Sequence, residues 1–143
     1  MAIGVQVTFD AADPARLAEF WALALGYVQQ QPPEGFATWE DFLRARGVPE
    51  ERWNDRNAVV DPEGKGPRLF FQRVPEGKVA KNRVHLDINA GVGARDDVER
   101  RRLVDEHVAR LVAAGAEVLR VLDELGERCV VMRDPEGNEF CVQ

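Results

Sequence analysis

The chain has 143 residues, 45% hydrophobic and 31% charged, with a formal net charge of -6. That length forms one domain able to bury a core, the acidic balance argues against a nucleic-acid partner, and no apolar run approaches the ~20 residues of a membrane span. The N-terminus lacks the basic and long apolar regions of a signal peptide, so residence is expected to be cytoplasmic, with Cys129 and Cys141 reduced.

In chain order, Ile3, Val5, Val7 and Phe9 alternate with polar or small residues and predict a strand with one apolar face. Asp13-Pro14 starts a helix, an acidic cap followed by proline at the first helical position. Leu17, Phe20, Trp21 and Leu25 give that helix its apolar stripe, and Gly26 ends it. A second strand is predicted over 27–31. Residues 33–56 interrupt the pattern: Thr38 and Asp41 resemble a capping box, and Trp39, Phe42 and Leu43 share a helical face. Strands follow over 57–60 and 67–74, joined by the turn Asp61-Pro62-Glu63-Gly64.

The second half repeats the order. A strand is predicted over 83–89, with Val84, Leu86 and Ile88 on one face and His85, Asp87 and Asn89 on the other. A helix over 95–114 turns Val98, Val104, Val108, Leu111 and Val112 inward and leaves His107 at the surface. Strands over 117–122, 128–133 and 138–143 complete the half. Its last turn, Asp134-Pro135-Glu136-Gly137, repeats the tetrapeptide of the first half. Two similar halves mean one supersecondary unit built twice. The fold class is α+β: two tandem βαβββ modules forming a curved, partly open mixed β-sheet cavity with the helices outside. The domain spans 1–143, with module one at 1–78, carrying the 33–56 insertion, and module two at 79–143.

The element order, with the runs Asp13 to Trp21 before Leu25-Gly26, Val84-His85-Leu86-Asp87, and Asp134 to Asn138, resembles the vicinal oxygen chelate superfamily. That superfamily holds glyoxalase I, the fosfomycin and bleomycin resistance proteins and the extradiol dioxygenases. The insertion helix and the runs 68–76 and 81–87 are similar to a glyoxalase-like branch common in actinobacteria. The resemblance implies metal-ligand positions at Gln6, His85 and Cys141. Cys141 stands where the family's usual site has Glu, a soft thiolate in place of a carboxylate suited to hard divalent ions. No cofactor is therefore expected, a divalent metal being the family's alternative.

Strand alternation gives a ligand pocket of Gln6, Thr8, Phe70, Gln72, His85, Asp87 and Cys141, with Trp39 and Phe42 from the insertion. His85 is open to three readings: metal ligand, acid/base, or a plain hydrogen-bonded residue. Asp87 is either a general base or a structural carboxylate, and Cys141 a nucleophile or an inert strand thiol that Cys129 faces across the hairpin. The aromatics of the insertion form either a lid over the pocket or plain packing. Two functions fit. One is a glyoxalase-like lyase or isomerase on a small organic compound, using either a metal on Gln6, His85 and Cys141 or, without metal, His85 and Asp87 as acid and base; the other is a non-catalytic protein sequestering an antibiotic or toxin. Partners are a small molecule and a second copy of the chain, with neither nucleic acid nor membrane.

Overall fold

An alternating run becomes a strand only where a neighbour takes its backbone hydrogen bonds. In the computed structural model, which describes residues 1–143, the first run pairs only from Gln6 to Ala11 (β1), leaving Ile3 and Val5 exposed ahead of it. The chain divides into two units, Met1–Gly77 and Lys78–Gln143.

In the first unit, β1 is followed by α1 (Pro14–Leu25), β2 (Val28–Gln29), α2 (Trp39–Ala45), a 3-10 stretch (Glu50–Asp55), β3 (Arg56–Val60) and β4 (Arg68–Arg73). The sheet order is β1-β4-β3-β2, with β1 parallel to β4 and the other pairs antiparallel. Asp13 caps α1 by accepting from the Arg16 amide, and Gly26 closes it in the left-handed region at φ 69°. The apolar stripe of α1 lies on the sheet: Leu17, Trp21, Val59, Leu69 and Phe71 are buried, and the Phe9 ring sits 5.1 Å from both Trp21 and Phe71. Each such large side chain contributes roughly 1.5–3 kcal/mol by burial. The register sets Gln6 beside Arg68, Thr8 beside Phe70 and Asp10 beside Gln72, so this row occupies the face away from α1.

The second unit contains β5 (Asp87–Ile88), α3 (Asp97–Ala113), β6 (Glu117–Glu124), β7 (Glu127–Arg133) and β8 (Glu139–Val142), in the sheet order β5-β8-β7-β6. β5 is parallel to β8, as β1 is to β4. The α+β class and the duplicated βαβββ unit, each with an open four-stranded mixed sheet, are as the sequence predicts. The repeated tetrapeptide makes the same turn twice. Gly64 N–H donates to the Asp61 carbonyl at 3.0 Å and Gly137 N–H to the Asp134 carbonyl at 2.9 Å. The aspartate side chains accept from Glu63 N and Glu136 N, each at 2.9 Å.

Several expectations for the second unit need correction. The 83–89 strand shrinks to Asp87–Ile88, and Val84 is 78% exposed rather than inward. Ahead of β5 the chain is instead fastened to Glu139 of β8, whose carboxylate accepts from the Asn82 amide at 2.9 Å. On α3, Val104, His107 and Leu111 form the buried stripe at helical spacing, while Val98 and Val112 are exposed. His107 is thus a core histidine, its Nδ1 accepting from Arg110 Nη2 at 2.8 Å, and not a surface residue. The β6–β7 turn runs through Leu125 (φ 54°) and Gly126 (φ 79°), the two positive-φ residues of a tight hairpin. The β6–β7 register sets Cys129 opposite Leu122 and the β7–β8 register sets Val131 opposite Cys141, so the two cysteines are diagonal neighbours rather than a facing pair. No helix is long and apolar enough to cross a membrane.

Candidate functional site

The insertion of the first unit folds because its polar ends are anchored. Thr38 caps α2 through the Asp41 amide at 3.1 Å. Trp39 Nε1–H donates to the Gln30 carbonyl at 2.7 Å, and Trp53 Nε1–H to the Val48 carbonyl at 2.9 Å. Asn54 donates to Asp13 Oδ1 at 2.8 Å and accepts from Ala15 N at 2.9 Å, tying the 3-10 stretch to the start of α1. The rings of Phe36, Trp39 and Phe42 meet edge to face, at 5.2 Å and 5.8 Å from Phe42.

Between this insertion and the sheet lies a cavity of about 600 Å³, within the range of small-molecule sites. Ala58, Arg68 and Phe70 of the sheet line it, together with Trp39, Phe42 and Trp53 of the insertion. The insertion aromatics therefore enclose space. Arg68 is held by two amide oxygens, Gln30 Oε1 at 2.6 Å from its Nε and Gln6 Oε1 at 2.7 Å from its Nη1. Its guanidinium also stands 5.1 Å from the centre of the Phe70 ring.

Of the residues read from the sequence as pocket-lining, Trp39, Phe42 and Phe70 meet in this cavity. Gln6, Thr8 and Gln72 do not line it: Gln6 bonds Arg68 and Thr8, and Gln72 donates to Asp10 Oδ1 at 2.8 Å. His85, Asp87 and Cys141 belong to the second unit. His85 Nε2 is 3.1 Å from Lys81 Nζ and 3.1 Å from the Asn82 carbonyl oxygen. A neutral imidazole nitrogen accepts from the first or donates to the second, so these contacts call for opposite tautomers. Asp87 pairs with Cys141 in the ladder. Burial, then Cys129, then Asp87 push the Cys141 thiol up to about 12. It is a protonated thiol at neutral pH, without the cation that would activate a nucleophile.

Sequence reasoning passed over two residues. Arg68 shares a strand face with Phe70 and Gln72, and period-2 alternation already placed it there. Glu139 is buried, accepting from Asn82 N and ion-paired to Lys78 Nζ at 3.0 Å. Chiefly the Asn82 amide, then Lys78, hold its carboxyl down at about 2 against the cost of burial.

The glyoxalase-like domain family matches residues 6–143. The chain belongs to that family. Solved structures of the same fold include a possible glyoxalase from Bacillus cereus, 16% identical, with 99% of each chain covered and a TM-score of 0.62. A mutant of the fosfomycin resistance protein FosX from Listeria monocytogenes, complexed with Mn(II) and 1S,2S-dihydroxypropylphosphonic acid, is 12% identical over 100% of this chain and 90% of that one, with a TM-score of 0.62. A glyoxalase-related enzyme from Fulvimarina pelagi is 17% identical over 99% and 87%, with a TM-score of 0.60. At these identities the likeness establishes the fold. No curated protein matches the chain.

The metal bound by such a neighbour tests the donors at Gln6, His85 and Cys141. Cys141 would offer a soft thiolate where a hard divalent ion prefers a carboxylate oxygen. Glu139, the carboxylate of β8, is committed to Asn82 and Lys78. These residues do not fit the group.

Proposed function

We propose that this family member binds a small organic molecule in the cavity beneath the 33–56 insertion, and that it acts by sequestering that molecule. The observation that carries the reading is the half-open cavity itself, about 600 Å³ and lined within one unit by Trp39, Phe42, Trp53 and Phe70 among others. Aromatic walls bury a flat apolar body at little entropic cost, and a few polar groups orient it. The binding reading is preferred to lyase or isomerase chemistry because the lining that this unit supplies is rich in apolar side chains, with Trp39, Phe42, Leu43, Val48, Trp53 and Phe70 around the space. On the sequence runs 68–76 and 81–87 we place the chain in the actinobacterial-type branch. We also propose a homodimer: β6 is an edge strand eight residues long with Val118 and Val121 exposed, a surface that natural proteins cover.

The test is a titration of the full chain with N-phenyl-1-naphthylamine, a neutral aromatic probe whose emission rises in apolar surroundings. Saturable enhancement is expected, lost in Ala58→Phe, which fills the cavity, and retained in His85→Ala. No saturable binding, or binding indifferent to Ala58→Phe, overturns the reading.

A further inference from the structure

Resting on that small-molecule reading, we infer that the cavity selects a planar anion, an aromatic or conjugated carboxylate whose acid group meets Arg68 while its ring lies along Phe70 and the insertion aromatics, with Arg56 adding positive charge farther along the same face. Arg68 engages two of its five N–H donors, both with neutral glutamine oxygens, and no carboxylate pairs with it. Gln6 and Gln30 therefore aim the guanidinium without cancelling its charge, and three donors stay open for a planar, two-oxygen acceptor. Arg56 lines the same cavity, and its side chain has no hydrogen-bond or ion-pair partner. Two carboxylates also line the space. Asp55 is engaged by Arg52 at 3.0 Å and Arg73 at 3.9 Å, and Glu40 is exposed on α2. The lining holds three arginines, Arg52, Arg56 and Arg68, against two carboxylates, a positive balance in a chain whose net charge is -6. The Phe70 ring, with the Arg68 guanidinium 5.1 Å from its centre, sets an apolar surface beside that charge. A conjugated acid presents the same pairing of planar body and anionic end.

The experiment is isothermal titration of the full chain with 1-naphthoate and with 1-naphthamide, which share a shape and differ in charge. Naphthoate is expected to bind about tenfold more tightly, the scale of a charge-assisted hydrogen bond. The preference should collapse in Arg68→Gln and shrink in Arg56→Gln, and should weaken with added salt. Arg56 is exposed and partnerless, so its variant keeps the test readable if Arg68→Gln fails to fold. Equal affinity for the two compounds in the unaltered chain overturns the anion assignment while neutral-probe binding leaves the cavity reading standing. A preference that survives both arginine variants also overturns it. Failure of N-phenyl-1-naphthylamine and naphthoate alike strikes the small-molecule reading itself.

Discussion

The two units share a ladder, a crossover helix and an aspartate turn, yet differ in what they add to the common plan. The first inserts α2 and the 3-10 stretch before β3 and so encloses a cavity with its own residues. The second has no insertion. It uses a buried carboxylate, Glu139, to fasten the segment leading into β5. The duplicated scaffold is thus set by turn and core chemistry, while the cavity is completed by the one segment that is not duplicated.

The comparison is open to attack at its core first. Phe71 and Phe140 are 0% and 1% exposed, one in each sheet. Truncating either to alanine should cost about 3–5 kcal/mol in urea unfolding, and a cost below about 1 kcal/mol at either ring would deny that unit an organised core. The turns come next. Asp134 is 3% exposed and accepts from Glu136 N, Asn138 N and Asn138 Nδ2. Asp134→Ala should cost about 2 kcal/mol, the toll of buried donors left unpaired. Asp61→Ala, at the more open copy, should cost less, and the reverse order would contradict the burial difference.

Acid separates the units further. The Glu139 carboxyl sits at about 2 when folded against 4.5 ordinarily, so its contribution is full above 4.5 and drains away as pH falls toward 2. The stability gap between the natural chain and Glu139→Gln should therefore be widest near neutral pH and close at the acid end. A gap that is flat with pH would show that Glu139 is not held ionised. The smallest expected effect is a gain. Leu125 occupies a left-handed turn position at φ 54° with its side chain in solvent, so Leu125→Asn should stabilise the second unit by roughly 0.5–1 kcal/mol.

Much of this was legible in the sequence, and for physical reasons. Asp13-Pro14, Gly26 and Thr38 act locally, so their caps followed from residue type alone. The two Asp-Pro-Glu-Gly turns close on themselves within four residues. What escaped depends on distant partners. The 83–89 alternation reads as a strand, yet the chain before β5 is held at Asn82 by the distant Glu139, and the strand itself spans only Asp87–Ile88. His107 reads as polar surface beside Glu106, but the phase of α3 turns it in between Val104 and Leu111. In the candidate site, Phe70, Trp39 and Phe42 were found from type and alternation. The role of Arg68 required knowing that its neighbours are amides and not carboxylates.

The most direct test of the central claim uses the three tryptophan side chains as reporters. Trp39 and Trp53 line the cavity, whereas Trp21 is buried against the sheet on α1. In a proton–nitrogen correlation spectrum of the full chain, N-phenyl-1-naphthylamine should shift the indole N–H signals of Trp39 and Trp53 along saturating curves and leave Trp21 in place. Saturable binding that leaves Trp39 and Trp53 unmoved would contradict the cavity beneath the insertion as the binding site.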